Sequence, residues 1–263
     1  MLRGIGISAR MTAFLGVMML IVPYIIVVVT SFDAGSSAAF PPAKLSLRWY
    51  LNAFDRPAFR EGFVLSLTFA VASASAAVTI GTAAAFALTR VRFPGRDAAN
   101  TLLAAPLMIP QIVTGLGFLI LVTRFKLPNH AGIIVAHTIL AVPFVVRIVS
   151  ARLLATSVSL EEAAMTLGAT RLQTLRRITL PIIAESMVAA GIFAFAISFD
   201  NFYISVFLAQ TRGTLPVEIY AYARTEGDPT IAAISAMLIL FSAVALGSVS
   251  RLFDLETLAR VTR

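Results

Sequence analysis

The sequence predicts an all-α membrane protein with six transmembrane helices and with both termini in the cytoplasm. The first observation behind this prediction is composition. Of the residues, 59% are hydrophobic and 13% are charged, and the mean hydropathy is +0.90. Soluble domains contain about 45–50% apolar and about 25% charged residues. The second observation is distribution, because the charges fall between apolar stretches of about 20 residues, the length that crosses a bilayer as a helix.

Six stretches are long and apolar enough to be spanning helices: residues 12–30, 63–88, 101–122, 133–151, 182–208 and 230–249. Prolines inside the third and fourth are tolerated where neighbouring helices satisfy the freed carbonyl groups. Asp228 is the predicted N-cap of the sixth, with Pro229 at its first helical position. Lys and Arg are more numerous in the loops that an N-in, C-in arrangement places in the cytoplasm, which favours that orientation. We expect a single transmembrane domain over residues 1–263.

Several classes of protein are excluded by the same residues. The net charge of +8 comes from Lys and Arg residues in the loops between apolar spans. This distribution is typical of a membrane protein, whereas a nucleic-acid-binding protein gathers its cations on one polar face. The chain has no cysteine, and its two histidines lie outside any metal-binding motif. Its only lysines, Lys44 and Lys126, do not follow a glycine, so the chain lacks the phosphate-binding loop of an ATPase. We expect no metal, no bound cofactor and no catalytic site.

The loop between the fourth and fifth spans, residues 152–181, predicts two short helices joined by a sharp corner. Residues 159–162 read S-x-x-E, a capping box that would start the first helix. Gly168 suits the left-handed position that ends a helix. Residues 170–173 read T-x-x-Q, a second capping box that would restart the chain, and Pro181 stands where the next span begins. The predicted location of this corner is the cytoplasmic face.

The corner resembles the EAA motif, EAA-x3-G-x9-I-x-L-P, at every spacing, from Glu162-Ala163-Ala164 to Pro181. That motif marks the permeases of binding-protein-dependent ABC importers, so the chain resembles this family. The resemblance implies a type I importer (MetI-like) permease fold, in which residues 152–181 are the coupling loop that docks on a cytoplasmic ATPase. The coupling residues implied are Glu161, Glu162, Ala163, Ala164, Gly168, Arg171, Arg176, Ile178, Leu180 and Pro181.

Further segments resemble the spermidine/putrescine-type branch of this family, and within it the second, C-type permease subunit. These segments are residues 106–115, 198–202, 40–42 and 47–50. The resemblance implies a small polar solute, with a polyamine favoured. Many relatives carry an acidic residue where this chain has Gln111, which counts against a cationic substrate. Thiamine, ferric iron, phosphonates and amino-acid derivatives therefore stay open.

The transport path is predicted from polar residues inside the apolar spans. Asp200 is the one carboxylate deep in a predicted span, where an ionisable residue is costly and usually faces a water-filled cavity. It lines the path with Asn201 and Tyr203, or else it accepts hydrogen bonds at a broken helix end. Gln111 and Thr114 lie beside the break that Pro110 introduces, where they either present polar groups to the solute or only shape a kink.

The family resemblance also implies partners. These are a second, homologous permease chain, two cytoplasmic ATPases that bind ATP and Mg, and a periplasmic substrate-binding protein, all at the bacterial inner membrane. The chain itself would be a transport subunit and not an enzyme. The alternative is a secondary transporter driven by an ion gradient. That class usually has inverted repeats with paired broken helices, and the sequence shows no such repeat.

Overall fold

The computed structural model describes residues 7–37, 39–209 and 212–252. These residues are almost entirely helical and contain no strand beyond an isolated bridge between Asp33 and Leu45. The helices are α1 Ile7–Thr30, α2 Arg48–Asp55, α3 Pro57–Arg90, α4 Arg96–Ala104, α5 Gln111–Phe125, α6 Asn129–Ala155, α7 Ser159–Thr166, α8 Arg171–Thr174, α9 Leu180–Phe199, α10 Ser205–Leu208, α11 Leu215–Thr225 and α12 Thr230–Leu252. A 3-10 turn, Ala105–Leu107, follows α4, and a π-helical segment, Leu175–Thr179, joins α8 to α9.

Four of the described helices are long and apolar enough to cross a membrane, and a fifth span is possible if one bent pair counts as a single crossing. The four are Met11–Thr30, Pro57–Arg90, Asn129–Ala155 and Arg171–Phe199. The bent pair is Arg96–Leu107 with Gln111–Phe125. Helix α12, Thr230–Leu252, is 23 residues long and contains the apolar stretch Thr230–Val244. The described residues are thus nearly all helical and belong to a multi-pass membrane protein. They contain four or five clear spans, where the sequence predicted six.

The third predicted span, residues 101–122, is not one helix. Its two halves meet at an angle of 95°, and Pro110 is the N-cap of α5 with a ψ of 131°. Proline has no amide proton to donate to the preceding turn and disfavours helical dihedrals in the residue before it. The fifth predicted span, 182–208, also differs. Its helix is continuous from Arg171, and it stops at Phe199 instead of at residue 208.

The described chain separates into two compact units, one built from residues up to Phe59 together with those from Ile219 onward. In this first unit α12 packs on α1 and α2, and the Asn52 side-chain amide donates to the Thr230 hydroxyl at 2.8 Å. Asp228 caps α12 as predicted, since its Oδ1 accepts the Thr230 amide at 2.9 Å. The apolar side chains of α1 are largely exposed, as lipid contact would require.

The second unit comprises residues 60–218 and is organised around α6. Helix α6 packs along α9 and also borders α5 and α10. Its contact with α3 depends on small residues, because a Cβ on Gly81 would lie 2.7 Å from the Val145 side chain. Ala77 and Ala141 in the same core are fully buried. Small side chains of this kind let membrane helices approach closely enough to pack backbone against backbone.

Candidate functional site

The predicted corner after α7 is present, and Gly168 forms it. Gly168 has a φ of +90°, a left-handed conformation that glycine adopts without the steric cost other residues meet. The Ala169 amide donates to Ala164 O at 3.0 Å and the Gly168 amide donates to Met165 O at 3.0 Å. These two bonds are the pair that defines a Schellman helix end. The prediction that Gly168 ends this helix is confirmed.

The second predicted capping box is confirmed and the first is wrong. The Gln173 side chain accepts the Thr170 amide at 2.8 Å, while the Thr170 hydroxyl accepts the Gln173 amide at 3.3 Å. Ser159, in contrast, is already inside α7 and caps nothing. The Ser159 backbone amide donates to the Ser157 hydroxyl at 3.2 Å. The side chain that supports the start of α7 is therefore that of Ser157, two residues before the helix begins.

The predicted coupling residues divide by exposure. Six are exposed: Glu162, Ala163, Gly168, Arg171, Arg176 and Pro181. Four are partly buried: Glu161, Ala164, Ile178 and Leu180. Beside the exposed group lie apolar side chains that the sequence reading did not select, namely Leu160, Met165, Leu167 and Leu172. Leu167, immediately before Gly168, is 89% exposed. The corner therefore presents an apolar surface bordered by charges, which is typical of a docking site.

Glu161 faces the interior, away from the exposed surface of the corner. Its Oε1 lies 3.2 Å from Nε of Arg90 at the end of α3, and it accepts a hydrogen bond from the Thr179 hydroxyl at 3.2 Å. Arg90 also donates to the backbone oxygen of Thr156, just past α6, at 3.2 Å. Arg90 is a site residue that sequence reasoning missed, since no local pattern connects two residues 71 positions apart.

The break after α9 and the break before α5 meet. Asn201 is buried, and its side-chain amide donates to Gln111 Oε1 at 3.0 Å. The side-chain oxygen of Asn201, Oδ1, accepts the Ile204 backbone amide at 3.0 Å. Gln111 is the first residue of α5. Two of the residues predicted for the transport path are thus in direct contact, each at the end of an interrupted helix.

The other predicted path residues lie around this contact. Asp200 is exposed and lies just after the end of α9, where the predicted span 182–208 is interrupted. Tyr203 is 51% exposed and Thr114 is partly buried. Gly115 lets α5 approach the Tyr203 backbone, because a Cβ there would lie 3.0 Å from Tyr203 O.

A buried histidine supports the break after α9 from behind. His137, on α6, is fully buried. Its Nδ1 lies 2.8 Å from the Ser198 hydroxyl, before the break, and its Nε2 lies 3.3 Å from the Ser205 hydroxyl, after it. One side chain therefore bridges α9 and α10. Among the described residues, no group of three or more His, Asp or Glu side chains could hold a metal ion.

Comparison with known proteins places this geometry in a family. Residues 56–254 match the family model described as "Binding-protein-dependent transport system inner membrane component". The chain is 33% identical over 234 residues to the putrescine transport system permease protein PotI of Escherichia coli strain K12, covering 86% of this chain and 83% of that one. It is 30% identical over 227 residues to the spermidine/putrescine transport system permease protein PotC of the same strain, covering 86% of each.

Solved structures agree on the fold. A chain of a bacterial ABC transporter involved in the import of alginate superimposes with a TM-score of 0.71 at 17% identity, covering 94% of this chain and 98% of that one. A chain of the MetNI methionine ABC transporter, in an inward-facing conformation, gives a TM-score of 0.62 at 21% identity, covering 78% of this chain and 97% of that one. Together with the family match over most of its length, these likenesses establish that the chain belongs to the binding-protein-dependent transport system inner membrane components.

Proposed function

We propose that this chain is the permease subunit through which a binding-protein-dependent ABC importer carries a polyamine, such as spermidine or putrescine, across the bacterial inner membrane. The observation that carries the role is the exposed corner between α7 and α8, formed by Gly168 in a chain of this family. ATP hydrolysis belongs to separate subunits, because the sequence has no phosphate-binding loop.

The polyamine assignment is supported by two relatives, whose names specify putrescine and spermidine/putrescine. The chemistry of the path agrees in part. Asp200 and Tyr203 are exposed beside the α9 break, and a carboxylate with an aromatic ring suits a cationic amine. Gln111 contributes an amide oxygen, and that oxygen already accepts from Asn201. A neutral or differently charged solute is therefore the main competing outcome.

We propose six crossings with both termini in the cytoplasm, forming one permease domain over residues 1–263. They are α1, α3, the bent pair α4–α5, α6, the run from α8 to α9, and α12. The bent pair is apolar enough to count as one broken crossing. Broken helices at membrane depth are tolerated where they line a cavity. This arrangement puts residues 152–181 in the cytoplasm, where an ATPase can reach them.

The proposed assembly contains a second, different permease chain, two ATPases and a periplasmic binding protein. The apolar corner residues, among them Leu160, Leu167 and Leu172, would enter a cleft of the ATPase, with Arg171 and Arg176 at the margin of that contact. ATP-driven closure of the two ATPases would move the corners and switch the path from inward-facing to outward-facing. The binding protein would then deliver its solute from the periplasmic side.

The first test is purification of the tagged chain from its native membrane in mild detergent, with mass spectrometry of the proteins that accompany it. We expect an ATPase with a phosphate-binding loop and a second permease. The complex is then reconstituted in liposomes with the binding protein, and ATP-dependent uptake of radiolabelled putrescine and spermidine is measured. A chain that purifies without an ATPase and transports along an ion gradient would be a secondary transporter. ATP-dependent uptake of thiamine, iron, phosphonate or an amino-acid derivative, without polyamine uptake, would retain the importer and replace the substrate.

A further inference from the structure

Four residues from separate elements meet behind the corner and form what we name the Arg90 clasp: Arg90, Thr156, Glu161 and Thr179. Arg90 reaches Glu161 through Nε and the Thr156 carbonyl through Nη2, each at 3.2 Å. Thr179, in the π-helical segment before α9, donates its hydroxyl to the same Glu161 oxygen at 3.2 Å. The clasp therefore joins the end of α3, the residue that follows α6, the first turn of α7 and the π-helical segment before α9.

The Arg90–Glu161 pair is shielded from water. The two side chains are 9% and 12% exposed, whereas those of the Arg212–Glu61 pair, at the same 3.2 Å separation, are 69% and 44% exposed. An exposed pair contributes little to a structure because solvent screens it and the side chains are mobile. Removing one partner of a shielded pair leaves an uncompensated charge, so the two elements that carry such a pair resist separation.

Arg90 is the member of the clasp that links α7 to a helix distant from it along the chain. Helix α7 is joined along the chain to α6 on one side and, through Gly168 and α8, to α9 on the other. Helix α3 has no such connection, since Arg90 lies 71 residues before Glu161. The guanidinium fork supplies the link, because it binds a carboxylate and a carbonyl at once in a fixed geometry.

We propose that Arg90 is a positioning residue for coupling: through Glu161 it makes α7 and the cytoplasmic end of α3 move as one body, so that a displacement of the corner reaches α3 as well as α9. The inference rests on the proposed docking of the corner on an ATPase, and it adds a specific route by which that movement enters the membrane helices. Arg90 touches neither ATP nor solute in this scheme.

The direct test measures distance in the purified complex. The chain has no cysteine, so Arg92→Cys and Thr166→Cys, both at exposed positions, can carry a single pair of spin labels. We expect the same label distance without nucleotide and after vanadate trapping with ATP. In an Arg90→Gln background the distance should differ between the two states. A distance that already changes in the unmodified clasp would show that α3 and α7 do not move together, and would overturn the inference.

The second test measures ATP hydrolysed per putrescine taken up in proteoliposomes. We expect Arg90→Gln and Glu161→Gln each to raise this ratio by about fivefold or more, the lower end of typical coupling between sites. The double variant should be no worse than either single one, because both remove the same interaction. Glu61→Gln, which breaks the exposed Arg212 pair, is the matched control and should leave the ratio unchanged.

The outcomes separate the inference from the function on which it rests. If the unmodified complex hydrolyses no ATP, the proposed importer function fails, and the inference fails with it. If the complex is active and the Arg90 variants lower hydrolysis and uptake in proportion, at a constant ratio and with an unchanged label distance, Arg90 is only structural and the inference alone is overturned. If Arg90→Gln does not assemble, Arg90→Lys decides, because it keeps the charge and loses the fork. A raised ratio in that variant supports the clasp, and a normal ratio refutes it.

Discussion

Gly168 occupies a backbone conformation that few other residues tolerate. A Cβ added there would meet nothing within 4 Å, so its φ of +90° is the only obstacle to substitution. The penalty for a β-branched residue at positive φ is about 1–3 kcal/mol, enough to shift the corner without unfolding the helices around it. The surrounding bonds from Ala169 to Ala164 and from Gly168 to Met165 depend on that conformation.

We expect Gly168→Val to uncouple ATP hydrolysis from transport while the subunit still inserts and assembles. The measurement is the ratio of ATP hydrolysed to solute taken up by the reconstituted complex. Gly95→Val is the matched control, because Gly95 also has a positive φ, +83°, with open space around its Cα, but lies in the loop between α3 and α4. Normal coupling in Gly168→Val would count against the corner as the coupling element, as would equal losses in the two variants.

Asp200 is the second residue whose side-chain chemistry can be tested by a single substitution. Replacing its carboxylate by an amide removes a charge at an exposed position beside the break. If Asp200 contacts a cationic amine, Asp200→Asn should raise the apparent KM for putrescine about tenfold or more, because charge-assisted hydrogen bonds contribute about 1.5–3 kcal/mol. Assembly, followed by size-exclusion chromatography, should stay normal.

Asp55→Asn, which removes an exposed carboxylate at the end of α2, serves as the control for Asp200→Asn. Uptake should be unchanged in that variant. Loss of assembly in Asp200→Asn would assign Asp200 a structural role, and an unchanged KM would remove it from the solute path.

At the scale of elements, the described helices depend on long-range polar contacts at their interruptions. The end of α9 and the start of α10 are joined by His137, while the start of α5 is joined to the same break through Gln111 and Asn201. Buried hydroxyl and amide groups need such partners, since an unpaired buried group costs about 1–3 kcal/mol. These contacts fix the positions of the interrupted helix ends around the candidate path.

We expect His137→Ala to lower the thermal unfolding temperature of the purified complex by several degrees, because it leaves the Ser198 and Ser205 hydroxyls without this partner and creates a cavity. Uptake should fall in parallel. His130→Ala, which removes the exposed histidine, should change neither quantity. An unaltered unfolding temperature in His137→Ala would show that the break is held by other contacts.

At the scale of the whole molecule, the location of the corner depends on whether the bent pair crosses the membrane. If α4 and α5 together form one crossing, the loop before α6 is outside and residues 152–181 are inside. If they enter and leave by the same face, every later loop changes side. The apolar lengths of the two halves and their 95° angle fit either arrangement. The contacts of Arg90 with Thr156 and Glu161 put the ends of α3 and α6 at the same face, and this favours a single crossing.

Single cysteines introduced into this cysteine-free chain will distinguish the two arrangements. We expect a membrane-impermeant maleimide to label Leu127→Cys and Ala43→Cys in spheroplasts, and to label Thr166→Cys only after permeabilisation. All three positions are exposed. Labelling of Thr166→Cys in intact spheroplasts, with Leu127→Cys protected, would establish a re-entrant α4–α5 pair and would remove the corner from the reach of a cytoplasmic ATPase.

What the sequence by itself determined is local. The apolar content indicated a helical membrane protein, and short-range patterns predicted the Gly168 helix end, the Thr170–Gln173 capping box and the Asp228 cap, all of which the structure confirms. These features depend on residues a few positions apart, whose hydrogen bonds follow from residue type and spacing alone. The Ser159 box failed at the same scale, because Ser157 lies close enough to replace it.

Only the tertiary structure decided which distant residues meet. Glu161 was predicted as a coupling residue directly before the motif, yet its carboxylate lies against Arg90 and Thr179. Gln111 and Asn201 were predicted separately, and their contact joins positions 90 residues apart. Such pairs are selected by how helices pack and where they break, and no periodicity along the chain encodes that geometry. Local hydrogen bonding therefore made the corner predictable, while the contacts behind it depend on the whole fold.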